Sequence, residues 1–500
     1  MEGYIMAEEK KVEYRRANWF ELIFGMANNG NGICFYLLMM YASYIATEGY
    51  GIAVATMGII ATVTRLFDAV TDTLIGWLFD VVNPKKGKLR LFLVIGFAVE
   101  SLAAFAMFNW AVGKHSGVQG LVIFVLVYIL YFIGYTLNNI AGGAVGTVLT
   151  NDPKQRGMVG LIGTMYSYIT PMVFNTIISF LILPKYDNQY NAPMLKEACF
   201  LYAFVGGIFV LVACIALWRK DTIEIFESGK PKKNSDEADQ KLNLKEMWKI
   251  LKGNKPLQMM VVATASDKIA TTTASQSLVN TLLAGILIGS YKASTMVGNV
   301  SMIIGILFAF LGGAMIGKTG TKTTTVLWTW VSLIANAIMI GACFIMFSTG
   351  TMTGIGVALI PTVVYCGLMI IKQGAQMAVT TANTAMIADV TDYELTRSGH
   401  YIPGIVANIK SLLDKIISAF GNAIAAFMIA FIGYKTTTPQ MGDPATWPLF
   451  WMSMFLSFGL PILGFACTII AMKWYHLTKE EMVNVANEVH EMRENAKVEA

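Results

Sequence analysis

The sequence predicts an all-α integral membrane protein: twelve transmembrane helices in two six-helix halves, with both termini cytoplasmic. Three observations predict it. The 500-residue chain is 55% hydrophobic and only 14% charged, whereas a soluble domain is about a quarter charged. Its apolar runs are long and continuous, as at 121–137 and 450–472, and roughly 20 apolar residues cross a bilayer. One long hydrophilic stretch, 219–256, with the run GKPKKNSDEADQK, divides the chain near its middle. These numbers exclude a cytosolic enzyme, a disulfide-built secreted domain and a disordered chain. In lipid every backbone group is bonded internally. A transmembrane barrel would read as short alternating segments, so the long runs are helices.

The spans are placed in order. Residues 1–17 are polar and charged, so no secretory signal is read and the first span is retained. The first six spans run near 19–46, 54–82, 91–112, 120–149, 158–183 and 198–218. The second six run near 257–289, 293–316, 323–347, 354–386, 402–434 and 447–472. The predicted organisation is a first bundle over 1–218, a cytoplasmic linker over 219–256, a second bundle over 257–472 and a tail over 473–500. In the tail, Thr478 and Glu481 form a capping box. Met482, Val485, Val489 and Met492 then recur at helical spacing, which predicts a short amphipathic helix that packs at the membrane surface.

Charge sets the orientation. Of 37 Lys and Arg residues, 27 lie in segments on the N-terminal side of the spans, five opposite and five within spans. The positive-inside bias puts both termini in the cytoplasm. The halves also echo each other. Gly76 before the basic loop at 85–90 matches Gly313 before Lys318 and Lys322, and Asp152 matches Asp389; both pairs are 237 residues apart. An internal duplication places a site at the midplane between the halves.

Several chemistries are set aside. Cys34, Cys199, Cys214, Cys343, Cys366 and Cys467 have no metal or CxxC spacing and read as small core residues. The four histidines lie outside the spans. The basic residues are scattered over loops, so the net charge of +5 does not signal nucleic acid. No Walker, HExxH, GxSxG or EF-hand pattern sits in a fitting context, and no cofactor is expected.

Ionisable groups inside spans mark function by default. The densest cluster is RLFDAVTDTLIGWLFD in the second span. Arg65, Asp68 and Asp72 are spaced i, i+3, i+7 and share one helix face with Gly58, Ala61 and Gly76. Two carboxylates one turn apart in a low dielectric do not both stay ionised unaided. Arg65 can neutralise one. The other needs a proton or a cation such as Na⁺, which takes hard oxygen ligands. The bland alternative is a structural ion-pair network.

Asn28, Asn29 and Asn31 in the first span, and Asn138 and Asn139 in the fourth, supply amides for a hydroxyl-rich ligand. Plain interhelical hydrogen bonding remains open for them. Lys268 sits beside Asp267 in a polar seventh span. Lys372, Gln373 and Gln376 cluster in the tenth, where Gln376 is 237 residues from Asn139. Lys410 and Asp414 form an i, i+4 pair in the eleventh. Lys415 points away from that pair, to bind a substrate carboxylate or to neutralise acids of the first half. Glu100 has no partner in its own helix; protonation and a partner on another helix both stay open.

These residues carry a resemblance. The sequences Arg65-x-x-Asp68-x-x-x-Asp72-x-x-x-Gly76-x-x-x-Asp80 and Lys86-Gly87-Lys88-x-Arg90 are similar to those of the glycoside–pentoside–hexuronide:cation symporters, the melibiose permease-like family of the major facilitator superfamily. So are Asn151-Asp152-x-x-x-Arg156, Asn254-Lys255-Pro256-Leu257, Ala388-Asp389-x-x-Asp392-Tyr393 and Lys415-x-x-Ser418-Ala419-Phe420. The resemblance covers nearly the whole chain and implies the major facilitator fold. It implies that Asp68, Asp72 and Thr136 bind the coupling cation, with Arg65 and Lys415 as charge partners. Asp80, Lys88, Arg90, Asp152, Arg156, Asp389 and Asp392 then form a cytoplasmic gate.

The sugar site departs from the family pattern. Asn28 and Asn139 stand where aspartates hold a galactoside, Gly143 replaces a stacking tryptophan, and Thr164 replaces an arginine. Gly399-His400-Tyr401-Ile402-Pro403-Gly404 stands at the late Arg-x-Glu-Gly stretch. The substrate candidates are Asn28, Asn31, Asn139, Thr164, Lys372 and Gln376. The expectation is a monomeric, multi-pass cell-membrane symporter, driven by Na⁺ or H⁺, that carries a glycoside, pentoside or hexuronide by alternating access. A transporter of a non-sugar amphiphile such as a lysolipid is the alternative, favoured by an apolar groove open to lipid. A membrane enzyme or sensor is the reading from another class.

Overall fold

The computed structural model describes residues 15–82, 84, 87–150, 152–222, 244–398 and 403–498. Lys86, Asn151, residues 399–402 and the polar centre of the linker lie outside this set, as does the Asp80 side chain. Among the described residues every regular element is a helix, without a strand. Each helix is numbered below by the predicted span it fills.

Ten helices are long and apolar enough to cross a bilayer: Val54–Phe79, Lys88–Trp110, Gly117–Leu149, Gln155–Tyr186, Ala192–Ala216, Tyr291–Thr319, Thr321–Ser348, Leu359–Ser398, Leu412–Phe431 and Trp447–Trp474. The chain is therefore a multi-pass membrane protein. The two predicted spans that fall short are the first of each half. The first is broken into Trp19–Gly25, Asn28–Met40 and Ala42–Tyr50. Its Asn- and Gly-rich stretch has low helix propensity. The seventh is polar over Lys255–Ala274 and continues as Ser277–Asn280 and a wide turn of helix at Thr281–Leu287.

The tenth helix starts five residues later than the sequence suggests and runs twelve residues further, to Ser398. It carries the Asp389–Tyr393 motif as helix and not as loop. Part of the linker is also helical, over Leu244–Gly253. The tail helix spans Lys479–Val498 and docks on the tenth helix. Its Val485 and Val489 are buried while Met492 is exposed, and Thr478 accepts from the Glu481 N–H at 3.3 Å.

Apolar packing decides how the halves meet. One shared core includes Tyr44, Tyr50 and Tyr190 of the first half with Leu278, Tyr291 and Phe450 of the second. Two further cores are private. One, around Leu89 and Val145, belongs to the first half; the other, around Leu257 and Val390, belongs to the second. The private cores lie on the side of the termini and linker, where Lys220 meets Arg16 and Lys479 meets Lys318. The halves are thus joined away from the termini.

Hydrogen bonds follow the same division. Across the joined side, Ser179 meets Thr295 at 2.7 Å, Asn299 donates to Thr176 at 2.8 Å, and Thr438 donates to Glu48 at 3.0 Å. On the terminus side, Arg16–Asp152 lies within the first half and Asn254–Glu394 within the second.

Candidate functional site

The second helix, Val54–Val81, packs against the eleventh, Pro403–Phe431, and so brings the two halves together at the middle of the molecule. The i, i+3, i+7 spacing places Asp68 and Asp72 on one side of it. Asp68 is 3% exposed, and Thr136 of the fourth helix donates to its Oδ1 at 2.7 Å. Lys415 of the eleventh helix places its ammonium 3.7 Å from Asp68 Oδ2 and directly against Asp72 Oδ2. One cation thus neutralises two carboxylates of the other half.

Arg65 does not take the role its spacing suggests. Its guanidinium lies 5.3 Å from the centre of the Phe132 ring, and no ion pair joins it to a described carboxylate. Lys415 enters from the facing helix and reaches both acids, while Arg65 lies against an aromatic face that a cation favours.

Of these groups Arg65 and Lys415 border a cavity of about 360 Å³ between the halves, lined also by Tyr36, Lys268, Lys410 and Asp414 among others. A side chamber of about 200 Å³ shares Lys268, Lys410 and Asp414 and adds Asp267, Gln376 and Asn383. A third, of about 400 Å³, shares Tyr36 and reaches the joined side past Asn175, Asn280, Asn299 and Gln373. The linings are rich in hydroxyls and amides. Lys410 pairs with Asp414 at 2.9 Å. Asp267 turns away from Lys268 and accepts from Thr468 at 3.1 Å. Lys268 forms no ion pair with a described carboxylate, and neither does Arg65.

The remaining predicted substrate residues scatter. Gln376 lines the side chamber. Asn139 is exposed while its neighbour Asn138 is buried, as a 100° step on a helix requires. Asn28 and Asn31 turn into the first half: Asn28 donates to the Asn138 carbonyl at 3.3 Å, and Asn31 donates to Glu100 at 2.9 Å. Thr164 is exposed and donates to Gly160 O of its own helix at 2.9 Å. Lys372 sits 4.7 Å from the Phe458 ring, outside the three linings. Asn28, Asn31, Thr164 and Lys372 are therefore not gathered with Asp68, Asp72, Thr136, Arg65 and Lys415.

On the terminus side, Asp152 accepts from Arg16 at 2.7 Å, and Asp389 accepts from Thr321 at 2.5 Å. Lys88 lies 4.5 Å from the Phe79 ring, Arg156 is exposed, and Asp392 is half-buried one turn from Asp389. Arg90 reaches Asp221, a residue the motifs do not include. Asp221 is 1% exposed and accepts from the backbone N–H groups of Lys88, Leu89 and Arg90 at 3.0, 3.1 and 2.9 Å. It caps the third helix from outside its own segment. A lone acid in the basic run Trp218-Arg219-Lys220-Asp221 was the available signal.

The chain is 23% identical to the glucuronide carrier protein homolog of Escherichia coli (strain K12), over 95% of this chain and 96% of that protein. It is 21% identical to the isoprimeverose transporter of Lactiplantibacillus pentosus, over 93% and 90% respectively. Among solved structures, it shares its fold with a bacterial homolog of the human lysosomal transporter Spinster, inward-facing and unoccupied, at a TM-score of 0.60, 13% identity, and coverage of 93% and 98%. A mutant of the nucleoside transporter NupG matches at a TM-score of 0.58, with 13% identity and coverage of 90% and 99%. The family model described as MFS/sugar transport protein matches residues 23–479, and the chain belongs to that family of major facilitator transporters.

Proposed function

We propose that this protein is a cation-coupled sugar symporter, a monomer with twelve spans and cytoplasmic termini, and that its substrate is an anionic sugar of the hexuronide class. The reading rests chiefly on Lys415, an ammonium of one half held by Asp68 and Asp72 of the other. Those two carboxylates and the Thr136 hydroxyl form a set of hard oxygens suited to Na⁺, and a proton could serve the same acids. A cation bound there displaces Lys415 from its partners. The link between the halves is then the thing the cation changes, and coupling is reciprocal: sugar raises cation affinity as cation raises sugar affinity.

Substrate charge follows from a count of partners. Four basic side chains border the central cavity. Lys410 and Lys415 are held by carboxylates, which leaves Arg65 and Lys268 for a ligand carboxylate. The relative named as a glucuronide carrier homolog supports the same class. Polar linings favour a sugar over a lysolipid. With the termini in the cytoplasm, the described state opens inward. When the terminus side closes, Asp80, Lys88, Arg90, Asp152, Arg156, Asp389 and Asp392 form pairs across the halves.

The test is uptake of a glucuronide and of its neutral glucoside counterpart into proteoliposomes under imposed Na⁺ or H⁺ gradients. Gradient-driven uptake of the glucuronide, abolished in Asp68→Asn and Asp72→Asn, is expected. Intact gradient-driven uptake in both variants refutes the coupling site. Preference for the neutral glucoside refutes the substrate class.

A further inference from the structure

Besides Asp68 and Asp72, the first half contains a buried carboxyl that the transport reading does not use. Glu100 of the third helix is 0% exposed. Its Oε1 accepts two amide hydrogens, from Asn31 Nδ2 at 2.9 Å and from Asn138 Nδ2 at 2.6 Å. These amides come from the first and fourth helices. The third and fourth helices pack closely here: a Cβ at Gly134 would stand 2.8 Å from Glu100 Cα, and one at Gly96 would stand 2.9 Å from Asn138 N.

Three oxygens of this group are buried without a hydrogen-bond partner: Glu100 Oε2, Asn31 Oδ1 and Asn138 Oδ1. All three are acceptors, and an ionised carboxylate brings no hydrogen to share among them. No described basic side chain pairs with Glu100. The titratable groups that interact with it are Cys34 of the first helix and Tyr131 of the fourth; Tyr131 in turn interacts with Cys199 and Tyr202 of the sixth. None of these carries positive charge. A bare anion in this setting would cost several kcal/mol even after relaxation.

One hydrogen resolves the set. A carboxylic acid has one carbonyl oxygen, which accepts, and one hydroxyl, which donates. The two amide N–H groups already converge on one oxygen, Oε1, as they would on the carbonyl of an acid. A hydrogen on Oε2 would supply the donor that Oε2 and the two amide oxygens, Asn31 Oδ1 and Asn138 Oδ1, lack among themselves.

We infer that Glu100 is a proton-binding site distinct from Asp68 and Asp72, and that its bound proton, on Oε2, ties the first, third and fourth helices together through Asn31 and Asn138. The proton is structural in this conformation. It holds the helix whose other end, at Met40 and Tyr44, meets the second half.

The test uses the purified full-length protein in lipid nanodiscs at neutral pH and infrared spectroscopy. The wild-type spectrum minus that of Glu100→Gln should contain the carbonyl stretch of one un-ionised carboxylic acid, moved by transfer to heavy water. Asn31→Ala should shift that band, because it removes one of the two donors. Glu100→Gln should fold and keep uptake within about twofold, because its amide presents the same acceptor and donor as the acid. Absence of the band in the wild type, its persistence in Glu100→Gln, or failure of Glu100→Gln to fold would each overturn the inference.

Discussion

The Tyr44 hydroxyl lies 2.5 Å from Thr281 Oγ1, and the two residues are 237 apart in the sequence. Ser277 donates to the Met40 carbonyl at the same separation. This is also the offset that relates Asp152 to Asp389. In a duplicated pair of bundles, a residue touches its own equivalent only near the axis between them. The first and seventh helices therefore meet close to that axis, on the side away from the termini. The Tyr44 hydroxyl is also 3.0 Å from the Pro439 carbonyl, and Tyr291 donates to Thr281 at 3.2 Å.

That seal depends on a close approach nearby. A Cβ at Gly58 would stand 2.6 Å from the Cβ of Ala426 on the eleventh helix. Gly58→Val should block closure of the joined side while leaving each half folded. Overpacking of this kind costs about 1–3 kcal/mol, which is roughly a 5- to 150-fold shift toward the oppositely open state. Thiol labelling of a cysteine introduced at Asn299 should rise accordingly, and uptake should fall. Unchanged labelling would contradict the seal.

Lys415→Ala should destabilise the protein and sharpen its response to cations. Without the ammonium, Asp68 and Asp72 face each other uncompensated. A fully buried pair broken this way loses about 3–5 kcal/mol, and the loss should be smaller here because the Lys415 side chain is 33% exposed. The thermal midpoint in nanodiscs should drop, and added Na⁺ or acid should restore more of it than in the wild type. A midpoint unaffected by either would count against the carboxylate pair as the cation site.

Lys268→Ala should separate charged from neutral sugars. Hydrogen bonds to charged groups contribute about 1.5–3 kcal/mol, so KM for a glucuronide should rise roughly 10- to 150-fold. Uptake of a neutral glucoside should change little. Equal losses for both substrates would place Lys268 in the fold rather than in recognition.

Asp221→Ala should cost about 1–2 kcal/mol, the usual scale for a lost helix cap, because three backbone N–H groups lose their acceptor at once. Asp221→Asn should lose less, since an amide oxygen still accepts but lacks the charge that favours a helix N-terminus. Thermal midpoints of the two variants give the order. An Asn variant as damaged as the Ala variant would point to the Arg90 pair as the larger contribution.

Much of this molecule is legible in the sequence because the bilayer imposes length and polarity on each helix. The apolar runs locate the helices to within a few residues at most ends. The i, i+3, i+7 spacing puts Asp68 and Asp72 together on one side of a helix, and the repeat at 237 marks the halves. The two predicted spans least apolar as continuous helices are equivalent by that repeat, and both line the cavity.

Spacing along one helix does not say which neighbour a side chain meets. Arg65 is as close to Asp68 in sequence as a partner could be, yet an ammonium from 347 residues further on takes the acids. Asn28 and Asn31 share a helix with the cavity residue Tyr36 but point into their own half, toward Asn138 and Glu100. Lys372 lies four residues from Gln376 and still misses the chambers. The sequence by itself determined a membrane-embedded helical protein with carboxylates where lipid should be. Tertiary packing decided which cation neutralises them, which amides line the cavity, and which side is open, because rotation and crossing of helices depend on contacts far apart in the chain.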